Sequence, residues 1–297
     1  MGRDFDGRFD SARRVYDEAC DALGLDLRSL CFEDDPRLSL TEYSQPAIVA
    51  TQIAMLRGLA EGWGLEAARF GGHSLGEYTA LVAAGVIPLA DAVRIVRERG
   101  RLMQQAVPVG DGCMLAVLGD DLDRDAIEAG LAGLRVAIAN DNSAGQVVLS
   151  GPTDEVRTAG RRLESGAAGA IDRVVELDVS APFHSWMMAP IEDSFGEILA
   201  ATSHAWNPAG ATRVTSNLTG GFHDADTATL RERLVGQLSS AVRWRENMAA
   251  LSAGAGAIYE VGAGRPLRTF FRTIGVDVVS IVDLRSAERS LQTAVAA

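Results

Sequence analysis

The segment 72–77, which reads Gly-His-Ser-Leu-Gly-Glu, constrains the fold of this chain more than any other. It carries the pattern G-x-S-x-G between an apolar stretch and a helical one. In that setting Ser74 lies on a strained strand-to-helix turn, with its hydroxyl exposed at the helix N-terminus. Glycine relieves the crowded backbone, and the free N–H groups of the helix can face a developing anion. The pattern predicts a serine nucleophile for acyl transfer. The alternative is a tight glycine turn without chemistry.

A serine nucleophile needs a base, and the chain has four histidines. His73 precedes the serine, so we expect its side chain to point away from the hydroxyl and to pack or hydrogen-bond within the turn. His204 and His223 lie in polar stretches and are expected at the surface. His184 follows a predicted strand at a hinge between two lobes, where a cleft should form. Position therefore favours His184 as the base.

Composition excludes several classes of function. The net charge of −12 argues against non-specific binding of nucleic acid. No segment approaches the ~20 apolar residues of a membrane span, and the N-terminus lacks the apolar core of a signal peptide. Cys20, Cys31 and Cys113 show no metal-like spacing, which favours buried thiols in a reducing cytoplasm. Every basic residue is arginine, so a lysine nucleophile is excluded.

Residues 107–180 have the order β-α-β-β-α-β, which predicts a ferredoxin-like small subdomain. Its expected elements are strand 114–118, helix 124–134 with Asp121 or Asp123 as N-cap, strands 135–139 and 146–150, helix 153–164 and strand 172–179. The flanking segments, 1–106 and 181–297, alternate helices and strands and predict an α/β large subdomain. Its expected helices are 8–23, 45–62, 76–84, 89–106, 188–200, 227–238, 243–252 and 266–274. Its expected extended segments are 67–71, 213–217, 257–261 and 276–282, and a poorly packed tail begins near 289.

Seven motifs make the chain resemble the malonyl-CoA:acyl-carrier-protein transacylase family, which includes the acyltransferases of polyketide synthases. Segment 44–47 resembles the family's T-Q-P-A, and segment 72–78 matches G-H-S-L-G-E-Y. Segments 97–104 and 140–148 resemble x-x-R-G-x-x-M-Q and N-x-N-S-P-x-Q-V-V. Segment 183–185 matches the F-H-S of polyketide-type members, while 237–244 and 260–264 resemble Q-L-x-x-P-V-x-W and E-V-G-P-G. The resemblance implies an α/β-hydrolase-like large subdomain with the ferredoxin-like one inserted.

The resemblance also implies roles for the catalytic positions. Ser74 would be the acylated nucleophile and His184 its base. The backbone carbonyl of Gln237 would orient the imidazole in place of an aspartate. Leu75 would donate its backbone N–H to the oxyanion hole. The reaction would need no metal or redox cofactor, and its partners would be malonyl-CoA and an acyl carrier protein.

The implied substrate-binding residues are Arg99, Gln45 and Phe183. Arg99 would bind the free carboxylate of a malonyl group, as a guanidinium can do bidentately. Spacing alone does not select it over the other arginines of its helix, which are Arg94, Arg97 and Arg101. In the family, the motif F-H-S occurs in enzymes that transfer malonyl groups, and Y-A-S-H occurs in those that transfer methylmalonyl groups. The Phe183 ring would therefore crowd a substituent on the α-carbon of the acyl group. Trp186 and Met187 depart from the family's P-L.

The arginines near the C-terminus offer a candidate surface for an acidic carrier protein, with a solvated helix face as the equal alternative. They are Arg265, Arg268 and Arg272.

The start of the sequence departs from the family, whose members begin with a strand and F-P-G-Q-G-S-Q. Segment 1–5 fits a later point, so the first strand and the glutamine that completes the oxyanion hole are expected to be missing. Either translation is assigned to an internal methionine or the protein is shortened. Two rival functions follow: a proofreading acyl hydrolase, and a non-catalytic carrier-binding protein. Length and the F-H-S motif favour a freestanding transferase that serves polyketide modules in trans.

Overall fold

A computed structural model describes residues 1–167 and 171–295 of the protein. The α-helices of this part are α1 (Arg3–Arg8), α2 (Asp10–Leu23), α3 (Leu27–Phe32), α4 (Thr41–Trp63), α5 (Gly76–Ala83), α6 (Leu89–Gln105), α7 (Arg124–Gly130), α8 (Thr153–Arg162), α9 (Glu192–Thr202), α10 (Thr227–Gly236), α11 (Trp244–Ser252), α12 (Leu267–Arg272) and α13 (Leu284–Val295). The strands are β1 (Gly112–Gly119), β2 (Ala137–Ser143), β3 (Gln146–Pro152), β4 (Ile171–Glu176), β5 (Ile258–Val261) and β6 (Val278–Ile281).

Strands β1 to β4 form an antiparallel sheet in the order β2-β3-β1-β4. Side chains alternate between its two faces, as the pleat requires. Leu115 and Val117 of β1 lie in one apolar cluster with residues of α7 and α8, while Met114 and Ala116 lie in another that Phe183 contacts. The elements follow the predicted order β-α-β-β-α-β, and Asp123 caps α7. The subdomain boundaries at 107 and 180 stay a prediction, and residues 168–170 lie outside the described chain.

The longest helices, α2, α4 and α6, pack together in the main apolar core. At Gly100 helix α6 approaches the start of α4 so closely that an added Cβ would lie 2.4 Å from the carbonyl oxygen of Thr41. This contact needs a glycine, because there is no room for a methyl group. It places the residues beside Gly100 and those of the first turns of α4 next to each other.

The extended segments predicted at 67–71 and 213–217 pair with each other through a single β-bridge only. Phe70 bridges Val214 in parallel, and the Phe70 N–H donates to the Arg213 carbonyl at 2.8 Å. The strands cannot lengthen here because Gly71 and Gly72 turn the chain at once into the serine segment. The parallel pair β5–β6 forms close to where it was predicted.

Strand β2 begins later than predicted and continues through the polar residues 140–143, which were expected to turn. The reason is a second pairing partner: the Asp141 N–H donates to the Val242 carbonyl at 3.0 Å, and the Val242 N–H donates to Ala139 at 2.9 Å. Asn140 thus bridges the small sheet to the chain after α10. This backbone contact joins the sheet to the rest of the molecule.

Several helices also differ from the prediction: α7 ends at Gly130 and not at 134, α9 begins at Glu192 and not at 188, and α1 and α3 were not predicted. Helix α4 starts at Thr41 and runs through Pro46, which removes only one N–H donor near its beginning. The expected loose tail is helix α13 as far as Val295, with Ala287 and Leu291 buried against the core. Residues 296–297 of that tail lie outside the described chain.

Within the described ranges, no helix is long and apolar enough to cross a membrane. The same ranges contain no group of three or more His, Cys, Asp or Glu residues arranged to hold a metal ion.

Gly100→Ala should lower the free energy of unfolding by ~2 kcal/mol, because the methyl group overlaps the Thr41 carbonyl. Gly7→Ala in α1 is the matched control, since an added Cβ there meets no atom within 4 Å. It should leave stability unchanged or raise it by up to ~1 kcal/mol, as alanine favours helix. Urea unfolding measures both variants, and equal stabilities would contradict the close packing of α4 and α6.

Candidate active site

The backbone around Ser74 is strained as a nucleophile turn requires. Ser74 itself has a φ of 51°, which is unusual for a residue with a side chain. An added Cβ at Gly72 would lie 2.1 Å from the carbonyl carbon of Gly76, so only glycine fits at that position. The Ser74 N–H donates to Asn217 Oδ1 at 2.6 Å, and Asn217 Nδ2 donates to the Gly72 carbonyl at 2.9 Å. Asn217 therefore holds both sides of the turn.

Ser74 lies against His184, as the sequence predicted. Its Oγ is 2.8 Å from His184 Nε2, and His184 Nδ1 is 2.8 Å from the backbone carbonyl oxygen of Gln237. The carbonyl can only accept, so the proton of the neutral imidazole sits on Nδ1. Nε2 is then an acceptor aimed at the serine hydroxyl. His184 also has a positive φ, 56°, so the loop that presents it is strained too.

The imidazole of His184 is held in its neutral form. Its burial, together with the positive charge of Arg99, lowers the pKa of His184 to about 3, although the hydrogen bond to Gln237 acts in the opposite direction. At neutral pH this side chain is therefore unprotonated and able to accept a proton from Ser74.

Leu75 lies at the N-cap of α5, directly after the serine. Among the described contacts its backbone N–H donates to no other group. The position provides a free N–H at a helix N-terminus beside Ser74 Oγ. Its role in an oxyanion hole stays a prediction.

Arg99 is buried, with 2% of its surface exposed, and its guanidinium lies beside the serine. Nη2 donates to Ser74 Oγ at 3.1 Å and to Gln237 Oε1 at 2.9 Å, while Nη1 donates to Gln45 Oε1 at 3.0 Å. Within the described chain no carboxylate lies within 4.0 Å of it. Burial lowers the pKa of Arg99. A buried cation with only neutral acceptors is suited to an anion supplied from outside.

The other arginines of α6 point elsewhere. Arg94 bonds the Ala22 carbonyl, Arg97 pairs with Glu42, and Arg101 pairs with Glu98. Burial thus separates Arg99 from its neighbours, which the spacing of the sequence could not do.

Phe183 is half-buried between the main core and the Met114 face of the small sheet, and its predicted contact with substrate stays a prediction.

The remaining histidines differ in their surroundings. His73 is half-buried, packs edge-on against Trp244 and has its Nε2 2.7 Å from Asn142 Oδ1 in β2, in agreement with a structural role in the turn. Burial lowers its pKa. His204 is exposed, as expected. The expectation for His223 was wrong: it is buried, with Nε2 2.8 Å from Glu77 Oε1. The polar residues around His223 in the sequence gave no sign that it would be buried against Glu77.

Sequence reasoning missed Glu77, Asn217 and Asn247, which form a buried polar group beneath the serine turn. Asn217 Nδ2 donates to Asn247 Oδ1 at 2.9 Å, and Asn247 Nδ2 donates to the Ser216 carbonyl at 2.8 Å. Only Glu77, the last residue of the G-H-S-L-G-E segment, carried a signal, since it is the one charged residue of a mostly apolar helix, and a buried carboxylate needs partners.

Of the C-terminal arginines, Arg265 and Arg272 are exposed and Arg268 is half-buried.

Comparison with known proteins gives a family match. Residues 4–266 match the family model described as "Acyl transferase domain". The malonyl CoA-acyl carrier protein transacylase of Bacillus subtilis is 36% identical over 302 residues, covering 99% of this chain and 92% of that protein.

Solved structures agree with this match. The malonyl CoA-acyl carrier protein transacylase of Clostridium perfringens superposes with a TM-score of 0.89 at 32% identity, covering 100% of this chain and 93% of that one. A malonyl-transacylase in complex with its type II PKS acyl-carrier protein gives a TM-score of 0.88 at 32% identity, covering 99% and 94%. The predicted α/β fold class and the resemblance seen in the motifs are both confirmed. The chain belongs to the malonyl CoA-acyl carrier protein transacylase family of acyl transferase domains.

Proposed function

We propose that the protein transfers a malonyl group from malonyl-CoA to the phosphopantetheine thiol of an acyl carrier protein through an ester on Ser74. The main support for this proposal is the position of the Arg99 guanidinium. Among the described residues no carboxylate pairs with this buried guanidinium, which lies 3.1 Å from Ser74 Oγ, where a carboxylated acyl group would bring the missing anion. The names of the related proteins support the same substrate and carrier.

The first half-reaction forms the acyl-enzyme. His184 Nε2 removes the proton from Ser74 Oγ as the oxygen attacks the thioester carbonyl carbon of malonyl-CoA. The carbonyl oxygen becomes an oxyanion, which the Leu75 N–H at the start of α5 would stabilise. When the intermediate collapses, the carbon–sulfur bond breaks and the imidazolium returns the proton to the departing CoA sulfur. The malonyl group is then esterified to the serine.

The second half-reaction repeats these steps in reverse with another thiol. His184 takes the proton of the phosphopantetheine thiol, and the sulfur attacks the malonyl ester. The serine oxygen leaves and recovers its proton from the imidazolium. The Gln237 carbonyl keeps Nδ1 protonated throughout, so Nε2 always faces the reacting atoms. Serine and histidine supply nucleophile and base, so this chemistry calls for no metal or redox cofactor.

Arg99 and Gln45 would bind the malonyl carboxylate, and Phe183 would exclude larger acyl groups. The guanidinium has five N–H donors, so it can bind the carboxylate while it keeps its glutamine contacts, and a charged acceptor is the stronger partner. The F-H-S motif favours a polyketide carrier over a fatty-acid one. Free Cys20, Cys31 and Cys113 fit a reducing cytoplasm as the place of the reaction.

Incubation with malonyl-CoA should add one malonyl mass to the protein, located on Ser74 by peptide mapping. The Ser74→Ala variant should remain unlabelled, because the nucleophile is gone. Intact-mass spectrometry measures both. The absence of an adduct on the wild type would contradict every enzymatic function and favour a carrier-binding protein. Release of free malonate at the same rate with and without carrier protein would instead indicate a hydrolase.

Arg99→Met should lower the rate constant for malonylation of Ser74 about 100-fold, the ~3 kcal/mol expected for losing a buried charge pair. Acetylation from acetyl-CoA should fall by less than about 3-fold, because acetyl has no carboxylate. Arg101→Met, on the exposed side of the same helix, is the control and should change neither rate. Equal losses for malonyl and acetyl in Arg99→Met would rule out the carboxylate contact.

The malonylation rate should be nearly the same at about pH 5.5 and about pH 7.5, within a factor of about 2. A base whose pKa lies far below its usual range stays unprotonated across this interval, so lowering the pH does not remove it. An ordinary histidine would lose about 10-fold. Quench-flow measurements of Ser74 labelling test this, with circular dichroism at both pH values to verify folding. A 10-fold loss in a folded protein would contradict the buried, neutral imidazole.

A further inference from the structure

Glu77 is a fully buried carboxylate one helical turn beyond the nucleophile, and the mechanism above does not use it. Three donors face it. The Asn217 N–H and Gln237 Nε2 donate to Oε2 at 3.0 and 2.6 Å, and His223 Nε2 lies 2.8 Å from Oε1. These contacts satisfy the charge inside the protein, as a buried carboxylate requires.

The side chain of Gln237 connects this carboxylate to Arg99. Its Nε2 donates to Glu77 at 2.6 Å and to the Ser74 carbonyl at 3.1 Å, and its Oε1 accepts from Arg99 Nη2 at 2.9 Å. The bond to the carboxylate is the shorter of the two and is charge-assisted, so Glu77 is the stronger anchor. An ionised carboxylate can only accept and a guanidinium can only donate, so only one orientation of the amide satisfies both. With the amide reversed, its N–H groups would face those of Arg99 and its oxygen would face the carboxylate.

We propose that Glu77 is a positioning residue for malonyl selectivity: it fixes the Gln237 amide with its oxygen toward Arg99, and so holds the guanidinium beside Ser74. This inference rests on the proposed malonyl transfer. The amide gives Arg99 its second buried acceptor, alongside Gln45. Without it, the guanidinium loses one of the contacts that set its direction toward the bound carboxylate.

The two ends of Gln237 have separable effects. Its backbone carbonyl orients His184, and its side chain contacts both Arg99 and the Ser74 carbonyl. The contact with Arg99 affects a carboxylated substrate most, whereas the contact with Ser74 affects every substrate equally. Loss of Glu77 should therefore affect malonyl much more than acetyl. Damage to the fold would lower both together.

The experiment measures Ser74 acylation by malonyl-CoA and by acetyl-CoA in four variants: Glu77→Gln, Gln237→Leu, the double variant and His223→Gln. Gln at position 77 has its own N–H groups and no charge, so it removes the stronger of the two acceptors that hold the Gln237 amide nitrogen. Leu at 237 keeps the backbone carbonyl and removes the amide together with its contacts to Arg99 and Ser74. His223→Gln is the matched control, because an amide nitrogen can replace the imidazole donor to Glu77 on the side away from Gln237.

In Glu77→Gln, the malonyl-to-acetyl ratio of rate constants should fall at least about 10-fold, with acetylation changed by less than about 3-fold. In Gln237→Leu the ratio should fall at least as far, and acetylation should fall too, because the amide also contacts the Ser74 carbonyl. The double variant should match Gln237→Leu alone, since Glu77 acts through that side chain. The control should keep the wild-type ratio.

The proposal is overturned if malonyl and acetyl rates fall equally, if the losses in the double variant multiply, or if His223→Gln changes the ratio as much as Glu77→Gln. If Glu77→Gln does not fold, Gln237→Leu decides: an unchanged ratio there refutes the proposal. Failure of the wild type to accept malonyl at all would refute the proposed function instead, so the two failures are distinguishable.

Discussion

The buried guanidinium of Arg99 is the interaction on which the arrangement of this site depends. It contacts the nucleophile and two glutamine side chains, which belong to α4 and to the chain after α10. A charge buried to this extent must be surrounded by acceptors, and the fold supplies neutral ones. The site therefore holds a cation whose strongest partner is left to the substrate. The close contact at Gly100, the next residue in α6, fixes the helix that carries it.

A second constraint joins the small sheet to the nucleophile turn. The backbone of β2 pairs with Val242, and Asn142 of the same strand bonds His73 beside the serine. Strand β2 therefore contacts both its own sheet and the segments beside Ser74. Two of its buried polar side chains make contacts across this junction: Asn142 bonds His73, and Asp141 pairs with Arg245 of α11.

Much of the fold could be predicted from the chain because its signals are local. Hydrophobic periodicity predicted α2, α5 and α6 to within a few residues, and the β-α-β-β-α-β order was visible from alternation and turns. Predictions failed where residues far away in the sequence determine the local structure. The extension of β2 requires Val242, and the short pairing at Phe70 depends on how soon the chain turns. Helix α13 is ordered by the core on which Leu291 packs.

For the site, the sequence by itself determined that Ser74 stands on a nucleophile turn, because the glycines that relieve such a turn are adjacent to it. It also favoured His184, through its place at a hinge. Only the tertiary structure decided which arginine faces the serine, since four arginines share one helix and burial alone distinguishes Arg99. The same holds for Glu77, which lies 140 residues before Asn217 and 146 before His223. Buried hydrogen bonds among residues so far apart in sequence leave no local pattern, because the geometry that satisfies them exists only in the folded chain.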